Sequence, residues 1–256
     1  MFNALKNKKI DKQYRLLMEK PIPKHIGIIL DGNGRWAKKQ GLPRIMGHAQ
    51  GIKRIKNIIP EVKKLGVEVL TLFVFSTENW NRPSKEVDFL MDEAKKHYEN
   101  MVDSVKNLGY NVKVIGEEIN SHPELNNKIK ELNVLGNNEE KFTVVFAFNY
   151  GSKKEIVKAT QNICQKVVNK ELEITDIDEA LIENNLYTKG LPPVDLMIRT
   201  SGEERISNFL LWQIAYAELY FSKIYWPDFD TKALYTAIEC YQQRNRRFGK
   251  IGEQDD

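Results

Sequence analysis

Three short apolar runs constrain the fold of this chain more than any other feature. They cover residues 26–30, 69–75 and 143–148, and they show no alternation of apolar and polar side chains. A strand that is buried on one face only alternates, so continuous apolar runs of this length predict strands buried on both faces of a parallel sheet. Shorter β-rich runs are present at 112–115, 195–198 and 218–221.

Segments with the apolar spacing of amphipathic helices separate these runs. The clearest is "HAQGIKRIKNIIPEVKKLG" (48–66), where Gly66 favours a helix end and Pro60 predicts a kink or a break. Further helices are predicted at 84–108, 122–135, 152–170, 205–216 and 231–246. Alternating strands and helices predict an α/β fold with a mainly parallel sheet.

A single domain accommodates this pattern. The chain has 256 residues, of which 41% are apolar, and it contains no repeat, low-complexity tract or recognisable linker. We predict one domain over residues 23–250. A basic segment at 1–22 precedes it, and a short tail at 251–256 follows it.

Composition excludes several classes of protein. The net charge of +4 is small, and the two cysteines, Cys164 and Cys240, form neither a metal-binding pattern nor a disulfide framework. No apolar run has the length of a transmembrane helix, and the N-terminus lacks the apolar core of a signal peptide. These features predict a cytoplasmic protein.

The N-terminal segment leaves a membrane role open. The first 24 residues contain seven Lys or Arg and two acids, interspersed with apolar residues. Such a segment is either a frayed basic tail or a helix that rests peripherally on the anionic inner face of the plasma membrane.

The segment "DGNGR" (31–35) follows the first strand and precedes a helical pattern. Its glycines let the backbone approach a ligand closely, and Arg35 can bind an anion through two hydrogen bonds. The Asp31 carboxylate would repel a phosphate unless a divalent cation bridged them. The segment therefore fits an Asp31–Mg²⁺–phosphate site, and it fits equally well a tight turn in which Asp31 caps the helix.

The segment "FSTENWNRP" (75–83) follows the second long strand. Ligands of parallel sheets lie beyond the carboxyl ends of the strands, so the position favours a site. Trp80 among polar residues is typical of a platform for an apolar ligand with a polar head group, although a loop start has the same composition by chance.

The segment "IRTSGEERISNFLLWQIAYAELYF" (198–221) begins with a second group of cationic side chains. Arg199, Arg205 and Ser207 together fit an anion clamp, unless the adjacent glutamates at 203 and 204 simply neutralise the arginines. Two anion sites in one domain indicate two phosphorylated substrates or one long one. No nucleic-acid-binding motif is present, so we predict no nucleic-acid partner.

These segments, with "WPDF" (226–229) and "RRFG" (246–249), resemble the cis-prenyltransferases, most closely the bacterial enzymes that make undecaprenyl diphosphate. The motifs occur in the same order from Pro23 to Gly249. The resemblance implies a six-stranded, mainly parallel sheet with helices around a hydrophobic tunnel, in a homodimer. It also implies a Mg²⁺-dependent transferase that condenses isopentenyl diphosphate sequentially onto farnesyl diphosphate, giving the lipid carrier precursor for cell-wall glycans.

The resemblance also implies roles position by position. Asp31 and Asn79 match catalytic residues, and Asp31 and Glu218 match residues that bind magnesium. The positions that match substrate-binding residues are Gly32, Asn33, Gly34, Arg35, Trp36, Arg44, His48, Ser76, Thr77, Glu78, Trp80, Arg82, Arg199, Arg205, Ser207, Arg247 and Gly249.

Within that set, the resemblance distinguishes two substrates. Residues 33–35 with Arg44 and His48 match the pocket for the allylic diphosphate, although His48 as a structural residue that caps its helix remains an alternative. Arg199, Arg205 and Ser207 match the clamp for isopentenyl diphosphate. Residues 247–249 match a C-terminal Arg-x-Gly that reaches a substrate site across the dimer.

Two departures from the family pattern affect what can be expected. Ser152-Lys153 replaces the usual Gly-Arg, and a lysine lacks the bidentate fork of arginine. Val74 replaces the alanine that is usual in long-chain enzymes, which would narrow a tunnel. A synthase of shorter polyprenyl diphosphates is therefore the second hypothesis. A non-catalytic subunit of the same fold is the third, and the presence of Asp31 is evidence against it.

Overall fold

The protein forms one α/β domain around a six-stranded sheet. A computed structural model describes residues 2–136 and 140–244. The strands are β1 (His25–Ile29), β2 (Val69–Ser76), β3 (Asn111–Ile115), β4 (Thr143–Tyr150), β5 (Leu196–Arg199) and β6 (Glu218–Phe221). All six predicted strands are confirmed, and every pairing in the sheet is parallel, where the sequence predicted a mainly parallel sheet.

The strand order is β3-β4-β2-β1-β5-β6. From β1 the chain builds the sheet outward through β2, and later returns to the other side of β1 to add β5 and β6. The order therefore reverses between β1 and β5, and such a switch point opens a crevice at the carboxyl ends of the strands. Asp31 lies in the segment after β1, and Arg199 is the last residue of β5.

Both faces of the sheet are buried, as the lack of alternation predicted. In β2, Leu70 and Leu72 belong to the larger apolar cluster, whereas Val69 and Phe73 belong to the cluster on the opposite face. Successive side chains of a strand point to opposite faces, so each central strand needs apolar residues at every position.

Eight α-helices occur in the described part of the chain. They are α1 (Phe2–Met18), α2 (Asn33–Lys39), α3 (Arg44–Lys64), α4 (Ser84–Ser104), α5 (Pro123–Leu135), α6 (Ser152–Val168), α7 (Glu179–Glu183) and α8 (Thr231–Gln242). Gly66, with φ +80°, follows the end of α3 as predicted. Of the predicted kink or break at Pro60, the break does not occur, because α3 continues past Pro60 and is held by buried Ile58, Ile59 and Val62 on both sides, while the kink stays a prediction.

The helix predicted at 205–216 is also wrong. This segment is a series of turns, in which Ser207, Asn208 and Leu210 have φ of +52°, +62° and +49°. These left-handed residues are incompatible with a continuous right-handed helix. Its apolar residues are nevertheless buried, since Phe209 and Ile214 pack in the cluster beneath the sheet. The apolar spacing therefore predicted correctly which side chains are buried, but it predicted the wrong backbone conformation.

Helix α1 packs on the domain through its C-terminal half. Leu17 is buried, the Tyr14 ring centroid lies 6.3 Å from that of Tyr235, and Gln242 Nε2 donates to the Leu17 carbonyl at 2.9 Å. Helix α8 thereby fixes the entry of the chain into β1. None of the described helices combines the length and the apolar character that a membrane crossing requires.

Candidate active site

Asp31 and Arg199 meet at the switch point of the sheet. Asp31 follows β1 by two residues, and Arg199 is the last residue of the adjacent β5. Arg199 Nη2 donates to Asp31 Oδ2 at 2.9 Å, and Arg35 Nη2 donates to Asp31 Oδ1 at 3.0 Å. The N-cap of α2 is Gly32, with no side-chain cap, so Asp31 does not serve as the helix cap. Its carboxylate instead faces two guanidinium groups.

These cations keep the Asp31 carboxyl ionised. Burial alone would raise its pKa, but the hydrogen bond from Arg199 and the charges of Arg35 and Arg199 outweigh burial and lower the pKa below its usual value. A carboxylate that stays ionised retains the oxygen ligands that hard divalent cations prefer.

Arg199 also holds the loop that follows β5. Its side chain is 5% exposed, and Nη1 donates to Ser207 Oγ at 2.7 Å and to the Arg205 carbonyl at 2.5 Å. Its Nε is buried and has no hydrogen-bond partner among the described residues. A buried, unsatisfied guanidinium donor is costly, and an anion in the cleft would satisfy it.

Glu203 neutralises only part of the cationic group. Its carboxylate accepts hydrogen bonds from both Arg35 and Arg205. The sequence left open that the glutamates at 203 and 204 neutralise Arg199 and Arg205, and this holds for Arg205. Arg199, the other, pairs with Asp31 instead. Ser201 Oγ accepts from Arg35 Nη2 at 2.5 Å and helps to orient that guanidinium.

A second cationic group surrounds Glu86, which the sequence analysis did not identify. Glu86 is 6% exposed and accepts from Arg44 Nε at 3.0 Å, His48 Nε2 at 3.1 Å and Arg82 Nη1 at 3.1 Å. Only its i,i+4 spacing from Arg82 is visible in the sequence, because Arg44 and His48 are distant along the chain.

The titration of this group follows from its partners. Burial would raise the pKa of the Glu86 carboxyl, but Arg44 and Arg82 hold it below its usual value. Burial is the largest influence on His48 and lowers its pKa, although Glu86 acts in the opposite direction. Glu86 is therefore an anion that orients two arginines and a largely neutral imidazole.

Glycines hold the backbone of α2 close to these side chains. A Cβ at Gly34 would lie 2.7 Å from Arg44 Cζ, and a Cβ at Gly32, which has φ +100°, would lie 2.7 Å from Ser201 Cβ and Tyr225 Cδ1. Any other residue would displace the Arg44 guanidinium or the loop after β5. The two glycines thus form a cradle beside Asp31.

Some of the predicted residues in the loop after β2 line the cleft, and others do not. Ser76 and Asn79 form a reciprocal capping box, in which Asn79 Oδ1 accepts from Ser76 N at 3.1 Å, and both line the cleft. Trp80 does not line it, because its ring packs on Phe75 at 5.2 Å and its Nε1 donates to Asn149 Oδ1 at 2.8 Å. Trp80 is partly buried and packs against the core, and its role as a platform for a ligand stays a prediction.

The cleft has a volume of about 830 Å³. Its polar and glycine lining residues are Asp31, Gly32, Asn33, Gly34, Arg35, Arg44, His48, Ser76, Glu78, Asn79, Arg82, Arg199, Glu203, Arg205, Ser207 and Asn208. Its apolar lining residues, here called the apolar wall, are Ile29, Leu30, Ile52, Ile55, Phe73, Val74, Leu90 and Trp226. A cleft lined by both cationic and apolar side chains suits an amphiphile with an anionic head group.

Two predicted substrate-binding residues besides Trp80 lie outside the lining of the cleft, and two others are not among the described residues. Trp36 Nε1 donates to Asp228 Oδ1 at 2.8 Å outside the cleft wall, and Thr77 lies outside that wall beside Gly151. Arg247 and Gly249 lie outside the described residues.

Glu218 is not brought to Asp31 within one chain. It is the first residue of β6 and pairs in register with Leu196 at the amino end of β5, whereas Asp31 lies beyond the carboxyl end of β1. Its carboxylate accepts from Arg244 Nη1 at 2.8 Å. Among the described residues, no group of three or more His, Cys, Asp or Glu side chains could hold a metal ion. Asp31 is thus the one predicted metal ligand in the cleft, and the role of Glu218 stays a prediction.

Comparison with known proteins places these features in a family. The model of a prenyltransferase family described as "Putative undecaprenyl diphosphate synthase" matches residues 29–249. An isoprenyl transferase of Clostridium perfringens is 47% identical over 94% of this chain and 95% of that protein. A farnesyl-diphosphate-specific ditrans,polycis-undecaprenyl-diphosphate synthase of Pasteurella multocida is 46% identical over 91% of this chain and 97% of that protein.

A comparison of the fold with solved structures indicates the same family. A crystal structure of lavandulyl diphosphate synthase from Lavandula x intermedia, in complex with dimethylallyl diphosphate, superposes with a TM-score of 0.84 and 35% identity. It covers 90% of this chain and 99% of that one. Because the family model covers residues 29–249 and these relatives are 46–47% identical over more than nine-tenths of the chain, the chain belongs to the undecaprenyl diphosphate synthase family of cis-prenyltransferases.

Proposed function

We propose that this enzyme condenses isopentenyl diphosphate repeatedly onto farnesyl diphosphate, with cis geometry, and releases undecaprenyl diphosphate as the precursor of a cell-wall lipid carrier. The observation that carries the proposal is the cleft itself, in which cationic side chains surround the ionised Asp31 carboxylate and apolar residues form the rest of the lining. Two diphosphates and a growing hydrocarbon chain require such an arrangement.

The cationic side chains of the cleft divide into two sets, and each set suits one diphosphate. The cradle at Gly34, with Arg35 and Arg44, would bind the allylic diphosphate next to the apolar wall. Arg199, Arg205 and Ser207 would bind isopentenyl diphosphate beyond the end of β5. Asp31 lies between the two groups and would keep the reacting ends of both substrates close together.

The residues around Asp31 fit one Mg²⁺ ion. Magnesium is usually held by one or two carboxylates together with phosphate oxygens and water, so a single ionised carboxylate is sufficient. When bound, the ion would stabilise negative charge on the leaving diphosphate. Arg35 and Arg44 would stabilise the same charge from the protein side.

After the new carbon–carbon bond forms, a proton must leave the former isopentenyl unit. Asn79 Oδ1 is occupied by the Ser76 N–H. The Ser76 hydroxyl accepts from the Asn79 N–H in the same capping box, which favours its proton for donation. We therefore assign the role of acceptor to a diphosphate oxygen of the substrate, with Ser76 and Asn79 as groups that orient it.

One assay tests the proposal. Purified protein is incubated with labelled isopentenyl diphosphate, farnesyl diphosphate and Mg²⁺, and the extracted products are separated by chain length. We expect a ladder that ends at undecaprenyl diphosphate, and loss of the ladder when EDTA removes the metal. Absence of any chain extension would contradict the proposal, and a ladder that ends well short of that length would support the shorter-chain synthase.

The position of Val74 favours the shorter-chain alternative. Val74 is part of the apolar wall of the cleft, where a valine in place of alanine narrows the space for the growing chain. The change Val74→Ala removes two methyl groups and deepens the space available to the chain. We expect the product distribution to shift by one or more isoprene units toward longer chains, as measured by chromatography. The exposed Val157→Ala is the matched control. An unchanged ladder in Val74→Ala would exclude Val74 as a determinant of length.

We also propose that the enzyme works as a cytoplasmic homodimer. Strand β6 forms one edge of the described sheet and is half-buried, and an edge strand is suited to association with a second copy. The C-terminal Arg-x-Gly at 247–249 would then contribute to the partner's site. Light scattering of the purified protein should give twice the chain mass of 29.8 kDa.

Peripheral contact with an anionic membrane is a further part of the proposal. Residues 38–46 are exposed without interruption, and they contain three basic residues and no acid. The apolar side chains in this stretch are Leu42, Ile45 and Met46, with exposed fractions of 41%, 38% and 49%. Basic and apolar side chains on one exposed segment are typical of surfaces that bind anionic lipid.

Vesicle sedimentation tests this contact. We expect binding to phosphatidylcholine vesicles that contain phosphatidylglycerol, and weak binding to phosphatidylcholine alone. The combined change L42S, I45S and M46S should remove most of the binding. The matched change V134S, V168S and I174S alters three more exposed apolar residues and should leave it intact. Equal effects of the two combinations would contradict a role for residues 38–46.

A further inference from the structure

Asn208 connects three segments of the cleft, although nothing in its sequence context marks it for such a role. It lies in the loop between β5 and β6, directly after Ser207, and lines the cleft. Its φ of +62° is left-handed, a conformation that asparagine tolerates better than most residues. The same loop carries Arg205 and Ser207, which we propose bind isopentenyl diphosphate.

The first connection is to the N-terminus of α6. The N-cap of this helix is Gly151, which has no side chain to satisfy the first N–H groups of the helix. Asn208 supplies both acceptors, since its carbonyl accepts from Ser152 N at 2.9 Å and its Oδ1 accepts from Lys153 N at 2.9 Å. Helix α6 is therefore capped by a residue 56 positions after Ser152 in the chain.

Gly151 is a requirement of this arrangement. A Cβ at Gly151 would lie 2.8 Å from Asn208 Nδ2 and 2.6 Å from Thr77 Oγ1. A capping serine or aspartate at that position would therefore displace Asn208. The helix obtains its cap from the β5–β6 loop because its own N-cap position is too crowded for a side chain.

The second connection is to the loop after β2. Asn208 Nδ2 donates to Glu78 Oε1 at 3.0 Å. The orientation of the amide follows from its two partners, because the Lys153 N–H can only donate and the ionised Glu78 carboxylate can only accept. Burial would raise the pKa of Glu78, and the hydrogen bond from Asn208 is the largest influence that lowers it.

We propose that Asn208 is a positioning residue that fixes the isopentenyl diphosphate clamp relative to the loop carrying Ser76, Glu78 and Asn79, with the N-terminus of α6 as the common support. The inference rests on the proposed function. Small displacements between reacting groups are costly in rate, so a side chain that sets the spacing of two substrate loops affects turnover without contacting the reacting atoms.

A double-mutant cycle tests the connection to Glu78. Asn208→Asp keeps the oxygen that caps α6 and replaces the donor by a carboxylate facing Glu78. We expect kcat/KM for isopentenyl diphosphate to fall about tenfold or more, with an increased KM. In the Glu78→Gln background the glutamine amide can donate to the new aspartate, so Asn208→Asp should cost about twofold or less.

Controls separate positioning from loss of folded protein. Asn208→Gly removes both side-chain contacts while tolerating the left-handed backbone, and should raise KM for isopentenyl diphosphate. Lys170→Gly is the matched control, because Lys170 is exposed and has φ +60°. A merely structural role would lower the melting temperature and kcat while leaving KM unchanged.

The outcomes are distinguishable from failure of the proposed function. If wild-type protein and Lys170→Gly do not extend farnesyl diphosphate, the proposed function is overturned. If they extend it and Asn208→Asp costs the same in both backgrounds, the role of Asn208 is overturned while the function stands. A selective loss in the wild-type background, restored by Glu78→Gln, is the expected result.

Discussion

Replacement of Asp31 by asparagine is expected to lower kcat by about a thousandfold, because it removes the carboxylate that we propose holds magnesium beside the diphosphates. Asparagine has nearly the same shape, so circular dichroism should show an unchanged fold. Steady-state assays with both substrates measure the effect. Asp92→Asn, at an exposed position of α4, is the matched control and should retain activity.

The same change is expected to separate binding from turnover. In the wild-type protein Asp31 engages Arg199 and Arg35 and repels an approaching diphosphate. Asparagine lacks the negative charge, so without Mg²⁺ the affinity for isopentenyl diphosphate should be equal to or higher than that of the wild type. Calorimetric titration in EDTA measures this affinity. Weaker binding together with near-normal turnover would show that Asp31 is a structural partner of the arginines only.

Arg199→Lys is expected to have the second-largest effect. The guanidinium contacts Asp31 Oδ2, Ser207 Oγ and the Arg205 carbonyl at the same time, and its buried Nε remains for an anion. A lysine ammonium keeps the charge but cannot reproduce this planar set of donors. We expect kcat/KM for isopentenyl diphosphate to fall about a hundredfold, with KM raised more than kcat is lowered.

Arg54→Lys is the matched control for that experiment. Arg54 also binds a loop through two donors, with Nε and Nη2 contacting the Pro227 carbonyl at 2.9 Å and 2.8 Å, and it does not line the cleft. It should lower the melting temperature without raising KM. If both variants reduce activity to the same extent with unchanged KM, Arg199 would support the fold and not the substrate.

The strands could be predicted because their signal is local. A run such as 69–75 is apolar at every position for the same reason that β2 is buried on both faces, and no information from elsewhere in the chain is needed. Asp31 and Arg199 were predicted as parts of separate sites for the same reason, since each follows its own strand. Parallel pairing of β1 with β5 then brought them to 2.9 Å.

The errors occurred where distant contacts override local pattern. The segment 205–216 has helical spacing, yet left-handed residues and its contacts with α6 give it another conformation. Trp80 was expected to face a ligand; Asn149 and Phe75 hold it outside the lining of the cleft, and its role toward a ligand stays a prediction. Glu86 was not identified from the sequence, because its partners Arg44 and His48 lie on another helix.

The sequence by itself determined the class of fold, the order of its elements and the side chains that carry charge at strand ends. These properties depend on the period of apolar residues and on the chemistry of single positions. Only the tertiary structure decided which charges meet, that Glu86 collects one cationic group and Asp31 joins the other, and that Glu218 lies at the opposite end of the sheet. Charge pairing depends on distances of a few ångströms, and those distances exist only after the chain has folded.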